Sequence, residues 1–288
     1  MFDDTKIAFI GPGVMAEAMI AGLIREDVTK PNMLLASGPR AERTQELEAK
    51  YGISGFTDNA AAARQGQVVV LSVKPQRLDA VLEGMRGSID PEALVISIVA
   101  GASIAKISAI LDRKAIIRAM PNTPAQIGEG ITVWTASPEV SDLQREMGQQ
   151  ILAALGQEVF MEEETYLNMA TALSGTGPAY VFLFMEAMVD AGVHLGFPRR
   201  VAEQLVAQTV RGSVDYYTRE TDPIHLARLR NQVTSPGGTS AAALYYLEKA
   251  GFRTAISRAV WAAYERSREL GKDAKAHWPE NISQQEEG

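Results

Sequence analysis

Two patterns of apolar residues divide the chain. From residue 6 to about residue 160, short β-branched runs alternate with stretches whose apolar residues recur at helical spacing, which is typical of a parallel sheet covered by helices. Strands are predicted at residues 6–10, 33–36, 68–73, 94–98, 115–118, 132–134 and 158–160, and the covering helices at residues 15–25, 41–50, 78–85, 104–111 and 139–155. This half is therefore predicted to be a doubly wound α/β domain with a mostly parallel sheet.

Only helical patterns follow residue 161. They predict helices at residues 165–173, 178–195, 198–217, 239–249 and 252–270, so a domain boundary is expected near residue 162. Residues 272–288 are polar and offer nothing to bury, and we expect a disordered, solvated tail there.

The helix predicted at residues 178–195 is apolar nearly all round. Glu186, Asp190 and His194 interrupt it, and it falls short of the ~20 clean residues of a membrane span, so we interpret it as a buried helix and expect no membrane contact. A bundle of about 110 residues cannot easily cover such a helix on every side. A second copy of the chain is the expected cover, and the alternative is that the α/β half folds over the bundle.

Composition narrows the possible partners. The 288 residues are 46% hydrophobic and 22% charged, as in folded proteins, and the absence of cysteine excludes disulfides, thiolate metal sites and a thiol nucleophile. The net charge of −7, without a run of lysine or arginine, argues against nucleic acid and anionic membranes, so a small-molecule partner is expected. The acidic start and the apolar run of only four residues after it do not resemble a signal peptide, so a cytoplasmic location is expected.

The first strand leads into a glycine loop with the sequence Gly11-Pro12-Gly13-Val14-Met15-Ala16. Gly11 permits the tight turn, Gly13 lets the backbone approach a pyrophosphate, and Ala16 allows the helix to pack on the strand. The amides at the start of the helix would then face the phosphates. The structural alternative is a tight turn in a flavodoxin-like domain.

The end of the second strand indicates which dinucleotide would bind. NAD-binding domains usually carry an acidic residue there for the ribose 2′-hydroxyl, whereas this chain has Ser37 and Arg40. A hydroxyl and a cation favour a 2′-phosphate and hence NADPH. The alternative is that Arg40 is an ordinary surface residue at the start of the next helix.

Other polar residues follow strands or precede helices. Lys74 and Pro75 follow one strand, and Asn122 follows another, at the carboxyl edge where ligands of open α/β sheets bind. In the helical half, residues 174–178 and 234–240 are rich in glycine and hydroxyls, as in anion sites, although N-capping is the commoner reason for such residues. The three histidines stand singly, so neither a metal site nor a catalytic triad is predicted.

Together these motifs resemble those of the pyrroline-5-carboxylate reductase family. The resemblance spans residues 5–271, and the run Val-Thr-Ser-Pro-Gly-Gly-Thr at residues 233–239 is highly specific to that family. It implies the reduction of 1-pyrroline-5-carboxylate to L-proline with NADPH, or with NADH, in a homodimer that is often part of a decamer. It also implies that residues 1–162 form an NADP-binding Rossmann-type domain and residues 163–271 an all-helical domain for substrate binding and dimerisation.

The resemblance assigns roles to residues of both halves. Ser235, Gly238 and Thr239 would hold the substrate carboxylate, and Ser240 stands where the family has a threonine hydroxyl near the imine nitrogen. The residues that would line the cofactor are Gly11, Gly13, Val14, Met15, Ser37, Asn59, Ser72, Val73, Lys74, Pro75 and Ala100, to which the strand ends add Arg40 and Asn122.

Two other function classes fit the same architecture. One is another NADP-dependent enzyme, a β-hydroxyacid dehydrogenase or a general imine reductase, which would require a lysine as proton donor in the helical half, where Lys249 is the only lysine before the tail region. The other is a non-catalytic NADPH-binding sensor, for which no sequence feature argues. Hydride transfer to a C=N bond requires a cofactor, a held substrate and a proton, but no metal and no nucleophile.

The substitution Ser240→Ala tests whether Ser240 donates a proton to the imine nitrogen or only orients it. No Asp, Glu, Lys or His lies within residues 234–240 to return a proton to the Ser240 hydroxyl. We therefore expect the substrate to bind as an iminium that Ser240 only orients. The substitution should then lower kcat/KM by roughly one or two decades and leave the shape of its pH profile unchanged. A fall beyond about 10³ with an altered pH profile would make Ser240 the general acid, and an unchanged rate would remove it from the site.

Overall fold

The computed structural model describes residues 2, 4–219 and 224–272, and its contacts divide the chain into two compact units. Among the described residues, one unit comprises those up to Thr176 together with residues 262–272, and the other comprises those within Gly177–Trp261. The tail predicted to be disordered lies outside the described residues, apart from residue 272. The functional boundary predicted near residue 162 stays a prediction.

The first unit contains an eight-stranded sheet with the strand order β3-β2-β1-β4-β5-β6-β7-β8. The strands are β1 (Ile7–Ile10), β2 (Leu34–Ser37), β3 (Ser54–Phe56), β4 (Val68–Leu71), β5 (Leu94–Ser97), β6 (Ile116–Met120), β7 (Gly130–Ala136) and β8 (Gly156–Phe160). Strands β6 and β7 pair antiparallel, and the other neighbouring pairs are parallel. The predicted Rossmann-type, mostly parallel sheet is confirmed.

Helices cover both faces of this sheet. They are α1 (Val14–Arg25), α2 (Ala41–Tyr51), α3 (Asn59–Ala63), α4 (Leu78–Met85), α5 (Ile104–Leu111), α6 (Asp142–Ala153) and α7 (Tyr166–Ala170). Strand β4 shows why both faces are covered, because Val68 and Val70 belong to one apolar cluster while Val69 and Leu71 belong to another. Successive side chains of a strand point to opposite faces, so a continuous apolar run requires cover on both.

The second unit is built from helices with a small apolar core. It contains α8 (Gly177–His194), α9 (Arg199–Thr218), α10 (Leu226–Gln232), α11 (Thr239–Lys249) and the start of α12 (Phe252–Lys272). The buried members of its apolar cluster are Val189, Ala202 and Val206. Such a core is too small to cover every apolar side chain of these helices.

In the single chain Val189 is the only buried residue of α8, so the burial predicted for this helix depends on a second copy. Phe182 is 61% exposed and Leu183 is 67% exposed. By length and composition alone, the helical stretch Tyr166–His194 could cross a membrane, which is weak evidence because core helices of soluble proteins pass the same test. The exposed apolar face agrees with the expectation that a second copy supplies the cover.

The last turns of α12 pack within the first unit. A Cβ on Gly271 would lie 2.6 Å from the carbonyl oxygen of Gly101, whose φ is +74°. The hydroxyl of Ser267 donates to Asn168 Oδ1 at 3.2 Å, and the buried Arg118 donates to the same oxygen at 3.0 Å. These contacts hold the end of α12 against α7 and the loop that follows β5.

A charged residue on the exposed apolar face of α8 should prevent two copies of the chain from associating. Leu183→Glu would bury a carboxylate in an interface formed by α8, at a cost of several kcal/mol. We therefore expect this variant to sediment as a monomer at micromolar concentration. Leu143→Glu is the matched control, because Leu143 is 58% exposed on α6 of the first unit, and it should keep the association state of the original chain. A folded Leu183→Glu variant that stays dimeric would contradict dimerisation through α8.

Candidate active site

A cavity of about 620 Å³ lies in the first unit at the carboxyl ends of β1, β2 and β4. Strand β1 lies between β2 and β4, so the strand order reverses here, and ligands of open α/β sheets bind at such a switch point. The residues that line the cavity are Gly11, Pro12, Gly13, Gly38, Pro39, Arg40, Arg43, Thr57, Asp58, Asn59, Ala60, Ser72, Val73, Lys74, Arg77, Ala80, Val81 and Gly84.

Gly11 allows the loops after β1 and β4 to come into contact. Its φ is +98°, and a Cβ there would lie 2.7 Å from Val73 Cγ1 and 2.9 Å from Val73 N. The hydroxyl of Ser72 donates to the carbonyl oxygens of Ile10 at 3.0 Å and Gly11 at 2.9 Å. Any other residue at position 11 would push the two loops apart and distort the inner wall of the cavity.

Gly13 has a different role, because a Cβ there would meet no protein atom within 4 Å. Its φ of −83° is open to any residue. Gly13 caps α1 without a side-chain hydrogen bond, so the amides of the first helical turn remain available to an anion. A pyrophosphate close to the backbone accounts for glycine at this position, and the cavity therefore fits a dinucleotide.

Ser37 lies beside the cavity without lining it. The residue is fully buried, and its hydroxyl donates to Asn59 Oδ1 at 2.8 Å. Asn59 lines the cavity, and this bond leaves the Nδ2 donors of its carboxamide for a ligand. The structure therefore places Ser37 where it orients Asn59.

The cavity has an excess of positive charge. Arg40, Lys74 and Arg77 line it, and within the described part of the chain none of their side chains has a hydrogen-bond or ion-pair partner. The carboxylate among the lining residues is Asp58, which accepts a hydrogen bond from the amide of Ala60 and caps α3. Such a balance attracts a phosphate-bearing ligand.

The fourth lining cation, Arg43, is already paired. Its Nε donates to the carbonyl oxygen of Pro12 at 3.0 Å, and its two terminal nitrogens donate to Glu46 at 2.8 Å and to Glu17. The hydrogen bonds and charges of these two carboxylates raise the pKa of Arg43 above its usual value. Arg43 therefore ties α2 to the glycine loop and contributes little free charge to the cavity.

Glu17 joins α1 to both ends of α2. Besides Arg43, it accepts hydrogen bonds from Lys50 Nζ at 2.8 Å and from the hydroxyl of Tyr51 at 2.9 Å. Burial alone would raise the pKa of Glu17, but the hydrogen bonds from Lys50, Arg43 and Tyr51 lower it to about 2. Glu17 therefore stays ionised at neutral pH and neutralises Arg43.

Several predicted cofactor residues do not line this cavity. Val14 and Met15 begin α1, and Pro75 begins a 3₁₀ turn. Asn122 is buried, and its carboxamide donates to Ser174 O at 3.2 Å and accepts from Ile131 N at 3.0 Å. The members of the predicted set outside the cavity lining are Val14, Met15, Ser37, Pro75, Ala100 and Asn122.

The predicted substrate residues lie together at the start of α11 in the second unit. Gly238 is the N-cap of α11 and makes no side-chain cap bond, and Gly237 before it has a φ of +69°. Within the described residues the hydroxyls of Ser235, Thr239 and Ser240 have no hydrogen-bond partner. N-capping therefore does not account for them, and the helix start keeps amides and hydroxyls for a carboxylate.

The other glycine- and hydroxyl-rich run, at residues 174–178, has a different local structure. Residues Thr171–Gly175 form a π-helical turn. The hydroxyl of Ser174 donates to Ala170 O at 3.0 Å, and that of Thr176 donates to Thr171 O at 2.8 Å. These hydroxyls already donate to carbonyl groups of the turn, and the anion site considered for this run stays a prediction.

Comparison with known proteins decides the family. The protein-family model described as pyrroline-5-carboxylate reductase dimerisation matches residues 164–270. A second family model, described as NADP oxidoreductase, coenzyme F420-dependent, matches residues 6–101. A pyrroline-5-carboxylate reductase of Synechocystis sp. is 44% identical over 267 residues, which cover 93% of this chain and 98% of the relative. The chain belongs to the pyrroline-5-carboxylate reductase family.

Further family members agree with this result. A pyrroline-5-carboxylate reductase of Pseudomonas aeruginosa is 39% identical over 269 residues, covering 93% of this chain and 97% of the relative. The crystal structure of Plasmodium falciparum pyrroline carboxylate reductase with NADP bound has a TM-score of 0.86 at 32% identity, covering 94% of this chain and 100% of that chain. The match to the family's dimerisation model confirms the predicted homodimer and accounts for the exposed apolar face of α8.

Sequence reasoning missed part of the cavity of this family member. Arg43, Thr57, Asp58 and the α4 residues were not among the predicted ligands. Arg77, Ala80, Val81 and Gly84 recur at helical spacing opposite the buried residues of α4, which is the signal that could have found them. Arg43 and Glu17 carry no comparable signal, because they meet only when α1 and α2 pack.

The two glycines of the loop should respond differently to alanine. Gly13→Ala meets no protein atom, so the ligand-free melting temperature should fall by no more than about 3 °C, while the Kd for NADPH should rise roughly tenfold or more because the new methyl group occupies ligand space. Gly11→Ala combines a left-handed backbone with a collision and should lower the ligand-free melting temperature by at least about 5 °C. Scanning calorimetry and fluorescence titration measure both. Unchanged NADPH binding by Gly13→Ala would place the pyrophosphate elsewhere.

Proposed function

We propose that this chain catalyses the final step of proline biosynthesis, the reduction of 1-pyrroline-5-carboxylate to L-proline by hydride transfer from NADPH. The observation that carries the proposal is the 44% identity to a pyrroline-5-carboxylate reductase over 93% of the chain. The positively charged cavity beside the glycine loop supports it, because that cavity suits a phosphate-bearing dinucleotide. NADPH, when bound, supplies the hydride, and the protein supplies position and charge.

In the first unit, the residues of the cavity hold the cofactor. The amides at the start of α1, next to Gly13, bind the pyrophosphate, and Lys74 balances its charge. Asn59 donates from its carboxamide to a ribose or phosphate oxygen, in the orientation that Ser37 fixes. Arg40 binds the 2′-phosphate, so NADPH is preferred and NADH is the poorer donor.

In the second unit, the start of α11 holds the substrate. Ser235, Gly238 and Thr239 bind the substrate carboxylate with hydroxyl and amide hydrogens. Ser240 orients the ring nitrogen, which enters as an iminium and loses its charge when the hydride arrives. The unpaired hydroxyls of this segment are the support for these roles.

A dehydrogenase of the same architecture is less well supported. It would require Lys249 as proton donor, but Lys249 lies in the last turn of α11, whereas Ser240 lies in the first. The nine residue steps from Ser240 to Lys249 span about 14 Å along a helix. Lys249 Nζ instead lies 5.9 Å from the centre of the Tyr245 ring.

The proposal also includes the roles of the two domains, the assembly of the dimers and the location of the enzyme. Residues 1–162 act as the cofactor domain and residues 163–271 as the substrate and dimerisation domain. The homodimers assemble further into a decamer, as the resemblance to the family implies. The enzyme works in the cytoplasm, which is compatible with a chain that contains no cysteine.

The proposed reaction is tested by the loss of NADPH absorbance on addition of 1-pyrroline-5-carboxylate, with L-proline identified as the product. Steady-state kinetics should give a lower KM for NADPH than for NADH, because one charge-assisted hydrogen bond to the 2′-phosphate contributes roughly 1.5 to 3 kcal/mol, and exposure reduces this contribution. A β-hydroxyacid serves as the control substrate and should not react with NADP⁺. No proline formation by the folded dimer would refute the proposed reaction, and a lower KM for NADH would refute the cofactor preference.

A further inference from the structure

Arg77 lies in the cavity on the side of α4. It is the N-cap residue of α4, and its amide donates to Lys74 O at 2.9 Å, which closes a 3₁₀ turn. Side chains three residues apart in a 3₁₀ turn project from the same side. Lys74 and Arg77, which both line the cavity, are therefore presented to it by one turn.

The same face of α4 continues as a wall of small residues. Ala80, Val81 and Gly84 line the cavity, and a Cβ on Gly84 would meet no protein atom within 4 Å. The opposite face of α4 carries the buried residues Leu78 and Leu82. The wall thus leaves room for a flat group, and Arg77 stands at the N-terminal end of α4.

The segment after β2 contributes another part of the lining. Gly38, Pro39 and Arg40 line the cavity there, and a Cβ on Gly38 would collide with the ring of Pro12. This segment is therefore in close contact with the glycine loop. The adenosine half of a dinucleotide whose pyrophosphate lies at the start of α1 extends along the segment after β2, with the wall of α4 lining the same cavity.

Charge decides which cations are available to a 2′-phosphate. A phosphate monoester carries about −1.5 to −2 at neutral pH, so one arginine does not neutralise it. Arg43 is paired with two carboxylates, and Lys74 adjoins Val73, which contacts Gly11 beside the pyrophosphate site. Arg40 and Arg77 are exposed and have no partner within the described residues.

We propose that Arg77 is a second ligand of the 2′-phosphate, so that Arg40 and Arg77 bind this group from two elements of the cavity. The inference rests on the proposed function, because it concerns the cofactor of that reaction. It makes Arg77 a specificity-determining residue. It acts on the choice between NADPH and NADH and not on the transfer of the hydride.

Equilibrium binding of NADPH and NADH to the full-length dimer, followed by nicotinamide fluorescence, tests the assignment without turnover. Arg77→Ala should raise the Kd for NADPH roughly tenfold and change the Kd for NADH less than about twofold. Arg40→Ala should act in the same way. Arg86→Ala is the matched control, because Arg86 is an exposed arginine at the other end of α4 that does not line the cavity, and it should change neither Kd.

The melting temperature without ligand separates binding from folding. Because Arg77 has no protein partner within the described residues, Arg77→Ala should melt within about 1 °C of the original chain. Arg77→Lys should recover part of the NADPH affinity, since it restores the charge without the bidentate geometry.

Two results would overturn the role of Arg77. An equal loss of NADPH and NADH affinity would assign Arg77 to the pyrophosphate, and unchanged affinity for both would remove it from the site. Formation of L-proline by the original chain decides the proposed function separately. A chain that discriminates NADPH from NADH through Arg77 but makes no proline would contradict only the reaction, whereas a chain that makes proline with an inert Arg77 would contradict only this assignment.

Discussion

The contact between Gly11 and Val73 is the constraint on which the cofactor cavity depends. Strands β1 and β4 are adjacent because their apolar side chains are buried on both faces of the sheet, and this pairing brings the loops that follow them together. The loops touch only because position 11 has no Cβ and tolerates a φ of +98°. Once they touch, Gly13 at the N-cap of α1 and the turn carrying Lys74 line one cavity at the switch point of the sheet.

The charge of this cavity results from selective pairing of its arginines. Glu17 accepts hydrogen bonds from Arg43, Lys50 and Tyr51, so α1 and α2 are joined beside the glycine loop and one lining cation is neutralised. Arg40 and Arg77 have no such partners within the described residues and remain available to phosphate. The protein thus uses one arginine to build the cavity and leaves others for the ligand, a division that charge counting along the chain does not reveal.

Local sequence patterns predicted most of the fold and the centre of the site. The alternation of strand and helix patterns placed seven of the eight strands and the glycine loop. Strand β3 was missed because Ser54–Phe56 is only three residues long and has no apolar run. Helix α3 was missed because its five residues are too few to show a helical period. The all-round apolar pattern of α8 anticipated that one chain cannot cover this helix, and the exposure of Phe182 and Leu183 agrees with it. Arg43 was missed because it meets Glu17 only when α1 and α2 pack, whereas the cavity residues of α4 carry a helical spacing that could have identified them.

We infer that the cavity beside Gly11 and Gly13 holds the dinucleotide with its pyrophosphate at the start of α1. A crystal structure of the dimer with NADP⁺ bound tests this most directly. We expect the pyrophosphate oxygens to lie within hydrogen-bond distance of the first-turn amides of α1. The adenosine should lie along the segment after β2 and the wall of α4. A dinucleotide bound outside this cavity, or one whose pyrophosphate does not contact those amides, would contradict the account.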